Sequence, residues 1–141
     1  RSNIDLIRGF LSYSEWDAAN DWLDERLPSE LNTYAFSKQC VAALTQLQAS
    51  ELLPRGIRAN AVSPGPVETP ILADFRIDLG MATTQNAHDA FGRWGTPNDI
   101  ARVVRALLDP DVTGWVNGAI IPVDGGLGAS RFANAFEEAR S

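Results

Sequence analysis

Two short apolar runs constrain this chain more than any other feature: residues 57–62 (IRANAV) and residues 118–123 (GAIIPV). Each closes on a turn of Gly or Pro, Ser63-Pro64-Gly65-Pro66 after the first and Asp124-Gly125-Gly126 after the second, so each reads as a short strand. Between them lies a helix signature. Thr96 is an N-cap, Pro97 takes the first helical position and Asp99 adds negative charge to the first turn. Ile100, Val103, Val104, Leu107 and Leu108 recur at helical spacing as a buried stripe, and Asp109-Pro110-Asp111 breaks the pattern. Strands joined through a helix pair parallel. Parallel sheets carry helices on both faces and usually have more than two strands. The expected fold class is therefore α/β, a portion of a doubly wound parallel sheet sandwiched by helices, with about half of that architecture represented.

Upstream, residues 14–27 form a helical pattern in which Trp16, Ala19, Leu23 and Leu27 share a face, with Ser14 as N-cap and Pro28 closing it. A longer helix is expected from Asn32 to Leu53, carrying Phe36, Cys40, Ala43, Leu44 and Leu47 inward and stopped by Pro54 and Gly56. Residues 1–14 are weakly patterned, and residues 66–94 are Pro-bounded and mixed. From Ser130 onward the chain reads as a surface tail with some helix.

The 141 residues suit one domain, and the absence of an initiator methionine before Arg1 leads us to expect a portion of a longer chain. A net charge of −6 argues against a nucleic-acid groove or an anionic membrane surface as partner. No run approaches the ~20 apolar residues of a membrane span. Cys40 is the only cysteine, so no internal disulfide is expected; a reducing compartment follows, and a cytoplasmic location with it. His88 is the only histidine. A histidine-rich metal site is excluded, no metal is expected, and a Ser–His–acid triad would rest on that one residue.

Two constellations carry possible chemistry. Tyr34 and Lys38 are one turn apart on the expected helix, about 40° apart around its axis, so both project from one face. An ammonium near a phenol favours the phenolate, which suits a general acid–base. The plain alternative is an exposed pair on a solvated face. Against it, eleven arginines stand beside this single lysine, although arginine would serve wherever a bare surface cation was wanted. The second constellation is Ser63-Pro64-Gly65-Pro66-Val67-Glu68-Thr69-Pro70, at the carboxyl end of a parallel strand, where α/β sheets hold ligands. Its plain alternative is a turn punctuated by proline.

In order along the chain, Tyr34-Ala35-Phe36-Ser37-Lys38, the run Arg55 to Gly65 (RGIRANAVSPG), Thr69, Gly95-Thr96-Pro97 and Val123-Asp124-Gly125-Gly126 resemble the motifs of the short-chain dehydrogenase/reductase family. The first is the family's Y-x-x-x-K. The resemblance runs from Asn32 to Gly126 and implies the C-terminal half of a Rossmann-like domain. Within it, residues 32–65 would be the catalytic helix and strand, 66–94 the substrate loop, 95–126 a helix and the last strand, and 127–141 a tail.

By the same resemblance the cofactor is NAD or NADP, and the reaction interconverts a secondary alcohol and a ketone. Tyr34 would be the acid–base and Lys38 would assist it and bond the nicotinamide ribose. Pro64, Gly65, Val67 and Thr69 would wall the nicotinamide, with Tyr34 and Lys38 facing the ring across that strand exit. Ile71, Leu72 and Phe75 would meet a small apolar substrate.

Two departures from the family pattern stand out. No G-x-G-x-x-G phosphate turn occurs, and the position of the family's catalytic serine falls near Asp21. Residues 10–31 read instead as a helical insertion, similar to that of the 3α-hydroxysteroid dehydrogenase/carbonyl reductase subgroup, which implies a steroid-like substrate and a homodimer through the C-terminal strand. The serine and the phosphate-binding glycines would then precede Arg1. The alternatives are a nucleotide-sensing relative without turnover, and a fragment inert by itself.

Overall fold

The structure, a computed structural model, describes residues 3–29, 31–70, 72, 88–89 and 91–140. Ile71 and Phe75, two of the three expected substrate-loop residues, lie outside them. The chain forms two compact units, Arg1–Ala59 and Asn60–Ser141.

The first unit is helical: α1 (Ile4–Leu11), α2 (Trp16–Asp24) and α3 (Thr33–Glu51). Helix α1 lies where the sequence showed little pattern. Its Ile7 is buried against Phe36 and Cys40 of α3, with Leu6, Phe10, Leu11, Leu23 and Leu27 packed around them. The α1 stripe is thus drawn by contact with α3, and a helix of two turns shows too few repeats to reveal it alone. Gly9 lets α2 approach: a Cβ there would run into the Trp22 ring. Phe10 meets Phe36 edge-on at 6.1 Å and Trp16 at 6.4 Å. Helix α2 starts from Glu15 rather than Ser14, and no side chain caps it.

Helix α3 begins where the sequence indicates. The Asn32 side chain accepts from the Ala35 N–H at 2.8 Å, and the helix gives way to a 3-10 turn at Leu53–Arg55 and to Gly56 in the left-handed region at φ 69°. Of its expected stripe, Phe36 and Cys40 are buried, whereas Leu44 and Leu47 are exposed. Apolar residues continue round α3 beyond the width of the α1 contact, so one neighbour covers only part of them.

In the second unit β1 (Ala61–Pro64) and β2 (Ile120–Val123) pair parallel, Ala61 opposite Ile120 and Pro64 opposite Val123. Parallel pairing through a helical crossover is what the order of elements requires. The first strand is displaced from its expected span: residues 57–60 are not strand, and Ser63 and Pro64, read as the turn, are. Asn60 explains the shift. Its Nδ2 donates to the Val116 carbonyl at 3.0 Å and its Oδ1 accepts from the Ala119 N–H at 2.9 Å, so a side chain takes over where the ladder would otherwise begin.

The crossover carries α4 (Pro97–Leu108) and a short α5 (Pro110–Thr113), and α6 (Leu127–Glu138) follows β2. Asp109 ends α4 and then caps α5, accepting from the Asp111 N–H at 3.0 Å, so the expected break is a cap between two helices. Ile100, Val103 and Leu107 are partly buried, but Val104 and Leu108 of the same expected stripe are exposed, Leu108 by 75%. Among the described residues no helix is long and apolar enough to cross a membrane, and no cluster of three metal-ligating side chains occurs.

Candidate functional site

In the first unit α3 has two faces. Phe36 and Cys40 turn inward, and burial pushes the Cys40 thiol up from its ordinary value. Tyr34 and Lys38 project from the other side, Tyr34 47% exposed, with the Lys38 Nζ 5.3 Å from the centre of the Tyr34 ring. The spacing therefore brings the two together as expected, with the ammonium over the ring. Asn32 fixes where α3 starts and hence the rotation at which Tyr34 leaves it.

In the second unit the chain leaves β1 through a tightly determined exit. The Gly65 N–H donates to the Val123 carbonyl at 3.0 Å, and a Cβ on Gly65 would lie 2.7 Å from Asp124 Cα, so only glycine fits between the two strand ends. Beyond it Val67 forms an isolated parallel bridge with Gly95. The bonds of that bridge come from the residues either side of Val67: Glu68 N–H donates to the Gly95 carbonyl at 2.8 Å and Gly95 N–H to the Pro66 carbonyl at 3.1 Å. Backbone alternation turns the Val67 N–H and C=O the opposite way. Thr69 Oγ donates to the Val67 carbonyl at 3.3 Å, and Leu72 is buried, its N–H bonded to the Thr69 carbonyl.

An open cavity of about 340 Å³ lies beside the carboxyl ends of β1 and β2, where open α/β sheets place their ligands. Of the expected cofactor residues only Gly65 lines it; Pro64, Val67 and Thr69 do not. Phe91, Arg93 and Trp94 line it with no role expected from the sequence, and so do Asp124, expected only in a turn and a family motif, and Asp99, expected only to add charge to the first turn of its helix. Arg93 grips Asp99 with both guanidinium nitrogens, at 2.8 and 3.0 Å, while Asp99 also accepts from the Thr96 hydroxyl and N–H at 2.7 Å each. The Arg93 fork first, and the Thr96 donors second, hold the Asp99 carboxyl well below the usual carboxylate range. A first-turn aspartate with an arginine shortly before the N-cap was the available signal. Asp124 accepts from the N–H groups of Gly126 and Gly128 at 2.9 and 2.8 Å, closing the turn into α6.

The chain is 44% identical over 95 residues to a cyclohexanol dehydrogenase of a Rhodococcus species, covering 67% of this chain and 34% of that protein. It is 34% identical over 121 residues to a coniferyl-alcohol dehydrogenase of a Pseudomonas species, covering 85% of this chain and 46% of that one. The chain thus spans less than half the length of these relatives. A solved structure from Beutenbergia cavernae, described as a putative NAD(P)-dependent gluconate 5-dehydrogenase with bound NADP, superposes with a TM-score of 0.58 at 40% identity, covering 68% of this chain and 38% of that one. Residues 24–128 match the family described as enoyl-(acyl carrier protein) reductase. By this match, and by its parallel α/β architecture, the chain belongs to the short-chain dehydrogenase/reductase family.

Proposed function

We propose that this chain is the acid–base and nicotinamide-facing portion of an NAD- or NADP-dependent oxidoreductase that interconverts an apolar secondary alcohol and its ketone, steroid-like substrates included. The observation that carries the reading is the Tyr34–Lys38 pair, an ammonium 5.3 Å from a phenol ring on the face of α3 turned away from its core. The names of the relatives, one for cyclohexanol and one for coniferyl alcohol, support an alcohol as substrate.

Each unit, taken by itself, offers groups of the kind a nicotinamide nucleotide needs. Lys38 offers three N–H donors, which suits ribose hydroxyls. The Val67 N–H and C=O, directed away from the Gly95 bridge, suit a carboxamide, which needs one donor and one acceptor. Gly65 lines the cavity at the end of β1, where a flat ring would lie against its backbone. When bound, the nicotinamide supplies or accepts the hydride. The protein's share is the proton: Tyr34 Oη gives it to the carbonyl oxygen in reduction and takes it from the hydroxyl in oxidation. Leu72 would supply part of an apolar wall for the substrate.

Titration of the protein with NADH and NADPH, followed by turnover of cyclohexanone, tests the reading. In the complete protein binding with turnover is expected, with Tyr34→Phe keeping nucleotide affinity and losing ~10²-fold or more in rate. Binding without turnover would instead indicate a nucleotide sensor. No binding would indicate that these 141 residues are inert alone, a reading that the missing phosphate turn favours.

A further inference from the structure

We propose that Asp99 is a positioning residue for the ligand-facing exit of β1: it grips both ends of the turn 93–96, and that turn, through Gly95, holds Val67 in place. Capping α4 accounts for only part of what Asp99 does. A capping box needs the reciprocal bonds between Thr96 and Asp99, and both are present. Arg93 adds two charge-assisted bonds to the same carboxylate, and its Nη1 also donates to the Trp94 carbonyl at 2.8 Å. The turn is therefore clamped at Arg93, at Trp94 and at Thr96.

Gly95 sits inside this clamp and makes the two bridge hydrogen bonds to Pro66 and Glu68. A Cβ on Gly95 would stand 3.2 Å from the Pro66 oxygen and 3.5 Å from Val67 Cγ2, so the two backbones meet at close range. The line of contact runs from Arg93 through Asp99 and Thr96 to Gly95 and on to the residues flanking Val67. Displacing the turn displaces the N–H and C=O of Val67, and with them any ligand group they hold.

Amide hydrogen exchange in the 141-residue chain tests this directly. Glu68 and Gly95 donate in the bridge, whereas Ala61 and Gly65 donate between the β1 and β2 segments, so the four amides report the two features separately. Asp99→Asn and Arg93→Lys are expected to speed exchange at Glu68 and Gly95 about tenfold, the scale of a lost charge-assisted bond, with Ala61 and Gly65 changed less than about twofold. Arg93→Lys keeps the capping box and therefore decides the matter if Asp99→Asn unfolds α4. Equal acceleration at all four amides, or none at Glu68 and Gly95, would overturn the proposal.

The ligand half of the inference rests on the nicotinamide reading above. Where the protein binds NADH or NADPH, both variants are expected to weaken binding about tenfold in step with the loosened bridge. Unchanged affinity with a loosened bridge overturns that half. Failure of the complete unsubstituted protein to bind either nucleotide counts against the nicotinamide reading, and the exchange pattern in the 141 residues still decides the positioning role.

Discussion

Arginine lies over the rings of Trp22, Phe91 and Phe136, yet over Tyr34 lies the only lysine of the chain. A guanidinium would serve equally to cover an aromatic face, so the exception points to a task needing a compact ammonium. Lys38→Arg is accordingly expected to leave the melting temperature nearly unchanged while turnover falls about tenfold or more, because a planar fork cannot occupy the same point beside the ring. Retained turnover in a steady-state assay would remove Lys38 from the mechanism.

Asp99 makes a second residue-scale prediction. Its carboxyl is depressed below the ordinary value of 3.8 in the folded chain, so below that pH the unfolded chain binds the proton that the folded chain refuses. Its stabilising contribution is therefore complete above pH 3.8 and is lost as pH falls toward the depressed folded value. Melting temperature measured from pH 5 down to about pH 2 should drop more steeply for the unsubstituted protein than for Asp99→Asn. Parallel curves would contradict the assignment.

At the scale of elements, the caps account for where the best-read helices begin. Thr96, Pro97 and Asp99 announced α4, and the structure shows the full capping box there. Thr96→Ala should cost about 1 kcal/mol of stability in chemical denaturation, the usual size of a lost cap. Asn32 acted in the same way for α3. Helix α2, begun by Glu15 with no side-chain cap, starts one residue later than the sequence indicates, and the apolar stripe of α1 is too short to show as a pattern. The strands were legible as apolar runs but not in their limits. Asn60 occupies the start of the β1–β2 ladder with side-chain bonds to Val116 and Ala119, which lie more than fifty residues away in the chain.

Across the whole molecule, much apolar surface remains uncovered: Leu44 and Leu47 on α3, Val104 and Leu108 on α4, Phe132 and Phe136 on α6. Large apolar side chains exposed on this scale mark faces suited to further packing. The hypothesis of a homodimer through the C-terminal strand predicts twice the chain mass in light scattering. A single-chain mass or a tetramer would refute it. Pro122, in the middle of β2, lacks an N–H, which weakens further strand addition there and favours packing of side chains over backbone pairing as the contact.

Local chemistry carried the motifs. The spacing of Tyr34 and Lys38, the caps at Asn32 and Thr96 and the turns at Gly65 and Gly125 follow from neighbours within a few residues, whose preferences are set by backbone geometry, and the parallel order of two strands follows from the helical crossover between them. Tertiary structure decided what depends on distant partners. It chose which half of each apolar stripe is buried, since that depends on the helix lying against it, and it moved β1 along the chain because Asn60 found Val116 and Ala119. It also set Gly95, inside the local Arg93–Asp99 clamp, against Val67, because hydrogen bonds between separate segments form by proximity in space, which spacing along a chain does not encode.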